Sequence, residues 1–271
     1  MILLEKFMIS KAGKESDCED GVYFDKDFVA VVDGVTSKGG FIYEGRTTGY
    51  IAKYIVLNTI SKLERDSTEK DAILAIHEAL KAEYESHNNE SVFSATAAIY
   101  SDFRDELWLI GDCQAILNTE EYTGKSKIDR ITSEARALFI HEELKRGKTV
   151  EEFQEHDYGR DFIMPLLEKE NCFENDTVSE YGYSVLNGIV IPKVQVIKNY
   201  CLSDELVLAT DGYPYLMSTL EESESLLKRI ITEDPLRINN FKGTKGLIKG
   251  CVSFDDRAYI RVKFEGGKES E

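Results

Sequence analysis

Residues Val29 to Gly40 read "VAVVDGVTSKGG": an apolar run passes directly into Asp33-Gly34 and a glycine-bearing turn. Small and β-branched residues in such a run, followed by turn formers, predict a strand that delivers one carboxylate to a loop. The same design recurs further along. Asp112 ends "LWLIGD", Asp211 ends "LVLATD" before a glycine, and Asp255-Asp256 precede the apolar alternation of "RAYIRVKF". Asp-Gly after a strand is ordinary turn chemistry when it occurs once. Four acidic strand ends raise a second expectation, because strand ends remote in sequence become neighbours in a sheet. Carboxylates brought together repel, and a hard divalent cation with oxygen ligands relieves that repulsion.

Around these positions the chain carries further strand-like runs at Ile2 to Ile9, Val22 to Phe24, Phe28 to Val32, Phe93 to Tyr100, Glu106 to Ile110, Ala115 to Leu117, Ile189 to Ile191, Val194 to Leu202, Leu206 to Thr210 and Ala258 to Phe264. Helical spacing places Ile73, Ile76, Leu80 and Tyr84 on one face, and a second helix is expected from Thr47 to Ser61. The middle of the chain reads as helices: "TSEARALFIHEELKRG" opens on Thr132-Ser133 as a cap, and Thr149 to Glu152 has capping-box spacing. Strand pairs, then helices, then strand pairs predict an α+β protein with antiparallel sheet packed by helices, not βαβ units.

The totals narrow the function classes. Lys+Arg of 33 against Asp+Glu of 50 gives a net charge of −17, which disfavours nucleic acid or an anionic membrane surface as partner. Five dispersed cysteines (Cys18, Cys113, Cys172, Cys201, Cys251) form no C-x-x-C pair and suggest reduced thiols. The opening apolar run is broken by Glu5-Lys6 and no long apolar span follows, so a cytoplasmic protein is expected. No linker or repeat divides the chain, and residues 265–271 read as a tail. The four histidines lie away from every acidic motif and show no H-E-x-x-H pattern.

Taken in order, six segments resemble the signatures of the metal-dependent protein phosphatase 2C family. They are "CEDGVYF" (Cys18 to Phe24), "VVDGVTSKGG", "SATAAIY" (Ser94 to Tyr100), "IGDCQAIL" (Ile110 to Leu117), "LVLATDGYPYL" (Leu206 to Leu216) and "SFDDRAYIRVKF" (Ser253 to Phe264). The resemblance covers nearly the whole chain. It implies a four-layer α-β-β-α sandwich, two antiparallel sheets flanked by helices, as a single domain over residues 1–264 with a variable helical insertion at 131–188. It also implies a serine/threonine phosphoprotein substrate and hydrolysis by water activated between two Mn²⁺ or Mg²⁺ ions, with a third ion as an option. Asp33 would bridge the ions, the Gly34 carbonyl would join one, and Asp211 and Asp255 would hold the other. Glu19 and Asp20 would act directly or through water, and Asp112 with Asp211 would hold the third. Asp33, Asp211 and Asp20 are thus the expected catalytic set.

The departures from the family pattern are specific. Val35 stands where a histidine often follows Asp-Gly, and Glu15 stands where an arginine binds phosphate, leaving Lys14 as the nearest basic substitute. Lys38 and Arg46 are further cations near these loops. Cys113-Gln114 replace Ser-Arg, and Asp256 replaces Asn. A different class of function is a catalytically weak binding module that keeps the fold. Two other hydrolase chemistries fit less well: an aspartyl nucleophile needs a second carboxylate where Val35 lies, and "GRTTG" (Gly45 to Gly49) imitates a nucleophile elbow with Thr in place of Ser.

Overall fold

Alternation along the Val29 run sets two faces of one strand. Ala30 and Val32 point to a core shared with helices, and Val29 and Val31 point to a core shared with a second sheet. The computed structural model describes residues 1–35, 40–87, 92–117, 119–199 and 205–264. In chain order the strands are β1 (Ile2–Ile9), β2 (Asp20–Phe24), β3 (Phe28–Val35), β4 (Ile42–Tyr43), β5 (Arg46–Thr47), β6 (Ser94–Ser101), β7 (Glu106–Ile110), β8 (Gln114–Leu117), β9 (Glu120–Thr123), β10 (Gln195–Lys198), β11 (Glu205–Ala209) and β12 (Arg257–Lys263). The α-helices are α1 (Thr48–Ile60), α2 (Glu69–Ser86), α3 (Lys127–Lys145), α4 (Val150–Glu155), α5 (Tyr158–Leu167) and α6 (Leu220–Glu233).

Two five-stranded antiparallel sheets, ordered β1-β12-β11-β8-β9 and β10-β7-β6-β3-β2, face each other, and β4-β5 form a separate ribbon. Val31, Ala98 and Leu109 of one sheet meet Ala115, Leu208 and Ile260 of the other in a buried apolar core. The outer face of the β3 sheet is covered by Val56 of α1 and Ile73, Ile76 and Leu80 of α2. The outer face of the β11 sheet is covered by Leu227 and Ile230 of α6. The result is the expected α-β-β-α sandwich. Each fully buried aliphatic side chain in these layers contributes roughly 1.5–3 kcal/mol of transfer free energy. No helix among the described residues is long and apolar enough to cross a membrane.

Several local expectations change. Asp33 and Gly34 do not leave the strand: β3 runs on to Val35, because Ser94, Ala95 and Thr96 of β6 keep pairing with it. Ile189 to Ile191 form no strand; Asn187 Oδ1 accepts the N–H groups of Ile189 and Val190 in an Asx-type turn, and all three apolar side chains are exposed. The run from Val194 is a strand only over Gln195–Lys198; residues 200–202 lie outside the described residues. Helix α3 begins at Lys127 under a Ser126 cap, so Thr132 and Ser133 are mid-helix and bond back to the Ile128 and Arg130 carbonyls. The Thr149-Glu152 capping box is present. Helix α6, capped by Thr219, and strands β4, β5 and β9 are additions to the sequence reading. The cysteines among the described residues, Cys18, Cys113, Cys172 and Cys251, are free.

Candidate metal centre

Strand register supplies the first half of the site. Asp20 on β2 lies directly opposite Asp33 on β3, and Asp33 lies opposite Thr96 on β6, so one row crosses the sheet on a single face. The Thr96 hydroxyl donates to Asp112 Oδ1 at 3.1 Å, extending the row to the turn after β7. The second sheet supplies the rest. Asp211 follows the end of β11 and Asp255-Asp256 precede β12, and these ends are adjacent because Ala209 pairs with Tyr259. Between the sheets, Thr210 Oγ1 donates to Asp20 Oδ2 at 2.5 Å.

The acids are close enough to govern one another. Burial, followed by repulsion from Asp256, Asp255 and Asp211, holds the Asp20 carboxyl well above the usual carboxylate range. Burial, then Asp20, Asp211 and Asp112, does the same to Asp33. Asp112 is pushed up to about 7 by burial and by Asp211. Asp211 is also raised, by burial and Asp255, although a hydrogen bond between Asp33 and Asp211 opposes the shift. Asp255 goes the other way: burial is outweighed by the ammonium groups of Lys245 and Lys11, which hold it below the usual range. Lys11 Nζ lies 3.3 Å from Asp255 Oδ1, and Lys245 bonds Asp255 Oδ2.

Three neighbours of the motifs have structural duties. Asp256, 6% exposed, accepts the backbone N–H groups of Lys11 at 3.0 Å and Glu19 at 2.7 Å, tying the end of β1 to the start of the Glu19-Asp20 segment. Gln114 Nε2 donates to the carbonyls of Thr210 and Tyr213 at 3.1 and 2.7 Å, bracing the turn that carries Asp211. Cys113 is fully buried with its thiol 3.5 Å from Thr96 Oγ1, and burial beside Asp33 and Asp112 pushes its titration up, so it is a packing residue and not a reactive thiol.

The two Asp-Gly pairs share a reason for glycine that differs from turn geometry. A Cβ on Gly34 would lie 2.1 Å from the Gly49 carbonyl oxygen at the start of α1. A Cβ on Gly212 would lie 1.9 Å from the Asp256 carbonyl oxygen. Glycine here lets another backbone segment press against the acidic strand end.

Of the predicted positions, Asp20, Asp33, Asp112, Asp211 and Asp255 come together. Glu19 stands beside them, accepting the Thr47 hydroxyl and, through its backbone carbonyl, the Gly34 N–H at 3.2 Å. Lys14 is exposed on the turn after β1. Arg46 is turned to the Ser16 carbonyl, 3.0 Å away, and stacks on Tyr50. Lys38 lies outside the described residues. Thr47 caps α1, so "GRTTG" is a helix opening. Sequence reading missed Lys11, Lys245 and Thr210, and for Lys245 no local signal exists, because "GTKGLIKG" resembles any polar loop. Among the described residues, no three His, Cys, Asp or Glu side chains stand together as a ready ligand set for one ion. The donor chemistry nonetheless suits a hard divalent cation: the clustered side chains offer only oxygen, and they repel one another.

No family model matches the chain, and no curated protein sequence matches it. Solved structures do match in fold. The serine/threonine phosphatase Stp1 of Staphylococcus aureus superposes with a TM-score of 0.52 at 15% identity, over 98% of each chain. A bacterial serine phosphatase superposes at 0.51 and 14% identity, over 98% of this chain and 100% of its own. The protein phosphatase 2C-like sandwich is therefore the fold of this chain, over nearly its full length.

Proposed function

We propose that this chain, built on the fold of those serine phosphatases, is a metal-dependent phosphomonoester hydrolase acting on phosphoserine and phosphothreonine proteins. The observation that carries the reading is the convergence of five acidic side chains from two sheets at one end of the sandwich, four of them driven upward in pKa by burial and mutual repulsion. Such a constellation destabilises the fold, and a functional role explains its retention. Asp33, Gly34 through its carbonyl, Asp211 and Asp255 would hold two Mn²⁺ or Mg²⁺ ions, with Glu19 and Asp20 alongside and Asp112 with Asp211 available to a third. Metal ions bound there supply an activated water and neutralise charge on the transferring phosphoryl group.

The chain's own residues do the positioning. Thr210 fixes one oxygen of Asp20, and Asp256 holds Glu19 at the rim through its backbone. Lys14, on the exposed turn beside Lys11, is the proposed phosphate-binding cation. The catalytic unit is a single domain over residues 1–264, with residues 131–188 as the insertion beside the site.

The test is hydrolysis of p-nitrophenyl phosphate and of a phosphothreonine peptide, first in EDTA and then with Mn²⁺ or Mg²⁺ restored. Activity that returns with metal and vanishes in Asp33→Asn and Asp211→Asn supports the assignment. Turnover that persists in EDTA, or in Asp33→Asn, sinks it. A binding module that keeps the fold is the second reading; the engagement of Asp255 by two lysines favours it, and folded protein inactive under every metal would select it.

A further inference from the structure

Asp255 differs from the other carboxylates of the centre because both its oxygens already have cationic partners. Lys11 Nζ is 3.3 Å from Oδ1 and 3.9 Å from Asp256 Oδ1, and Lys245 bonds Oδ2. Lys245 also acts on Asp211, whose upward shift its charge opposes, so it lies among the carboxylates of the centre and not apart from them.

The root of Lys245 is fixed by an unusual support. Arg136 of α3, completely buried, pairs with Asp157 at 2.7 Å and donates from Nη1 to the carbonyls of Leu236 and Gly243 at 2.8 and 3.1 Å. Asp157 in turn accepts the Gly246 N–H at 3.0 Å, and Leu247 N–H bonds the Pro235 carbonyl at 2.8 Å. The backbone on either side of Lys245 is thereby anchored to α3 and to the cap of α5. The side chain itself is not enclosed: Lys245 is 34% exposed and Lys11 44%. A fixed root with a partly exposed side chain permits the tip to swing away by rotamer change while the loop stays in place.

We infer that Lys245, assisted by Lys11, is a built-in cation latch on Asp255, which a divalent ion must displace before Asp255 serves as its ligand. The inference rests on the metal-centre reading above and adds a regulation to it: metal affinity is set by competition with an internal ammonium, and the Arg136-Asp157 pair in the helical region holds the competitor in position. A cation held beside an incoming cation lowers affinity both by repulsion and by occupying ligand oxygens.

The test is calorimetric titration of chelator-stripped protein with Mn²⁺ alone, comparing wild type, Lys245→Gln, Lys11→Gln and Lys249→Gln. Lys249 is an exposed lysine paired with Glu155, and it controls for net charge. Lys245→Gln is expected to bind Mn²⁺ about tenfold more tightly than wild type, Lys11→Gln less so, and Lys249→Gln equally, given the screening of partly exposed charges. Thermal melts accompany the titration: without metal, Lys245→Gln melts below wild type because Asp255 loses one of its two ammonium partners, and saturating Mn²⁺ removes the difference. Equal or weaker binding by Lys245→Gln, or equal tightening in Lys249→Gln, overturns the latch and leaves the metal centre standing. Failure of every variant and of wild type to take up Mn²⁺ overturns both.

Discussion

Thr210, immediately after strand β11 of one sheet, donates its hydroxyl to Asp20 Oδ2 of the other sheet at 2.5 Å while accepting the Ala258 N–H at 2.9 Å. One buried hydroxyl therefore stitches the two sheets together at the acidic end and satisfies a backbone donor of its own sheet. Replacing it with valine keeps the shape and removes both bonds. Thr210→Val is expected to lose roughly 1–3 kcal/mol of unfolding free energy, since a buried carboxyl and a buried N–H lose partners. Urea denaturation measures this, and a loss below about 0.5 kcal/mol would show that the bridge is incidental.

Metal-free protein should lose stability as pH rises through neutrality. Asp112 moves from an ordinary value near 3.8 to about 7 on folding, and Asp20, Asp33 and Asp211 move in the same direction. A carboxyl raised by folding contributes stability that is fully present below its unfolded pKa and lost as pH climbs through its folded one. Asp255 is lowered instead, so its contribution is present above the ordinary carboxylate range and fails only in stronger acid. Between about pH 5 and pH 8 the raised groups decide the sign, so the melting temperature in EDTA should fall across that interval. A flat or rising profile would contradict the clustering of these acids.

Glycine at the two acidic strand ends is a requirement of close approach. Gly34→Ala would place a methyl group against the Gly49 carbonyl, and Gly212→Ala would place one against the Asp256 carbonyl. Neither backbone is the movable tip of a side chain. Each substitution is expected to cost roughly 1–3 kcal/mol or more through overpacking, visible as a lowered midpoint in thermal unfolding. Because the pressed segments carry or flank the proposed ligands, both variants should also bind Mn²⁺ more weakly. A fully stable Gly34→Ala protein would mean that α1 yields where the structure shows it tight.

The Arg136-Asp157 pair is the stability hub of the segment between α6 and β12. Arg136→Met strands a buried carboxylate and frees two carbonyls, at an expected loss of roughly 3–5 kcal/mol. The backbone from Leu236 to Gly246 should become the earliest site of limited proteolysis. Peptide mapping would settle the point, and cleavage elsewhere at unchanged rate would argue that the loop has other anchors.

Much of this architecture is legible locally, and the misreadings have a common cause. The strand at Val29 declares itself by an uninterrupted apolar run, but its continuation through Asp33 and Gly34 depends on the small residues of β6 lying alongside. Ile189 to Ile191 have the composition of a strand, yet the side chain of Asn187 captures the N–H groups of Ile189 and Val190 before any neighbouring strand does. Helix α3 starts a turn and a half before its apparent cap because Ser126 supplies a better one. In each case the local preference was real, and a partner from elsewhere, or a nearer hydrogen bond, overruled it.

By itself the sequence determines the periodicity of the buried strands, the recurrence of aspartate at their ends, and thus the oxygen-only, strongly anionic character of the centre. These are properties of single segments, written in alternation and residue type. Which carboxylates keep company was decided only by tertiary structure, because it depends on strand order and register between segments far apart in the chain. So was the placement of Lys11 on Asp255: the two are 244 positions apart and meet only because β1 pairs with β12, an encounter that no local pattern encodes.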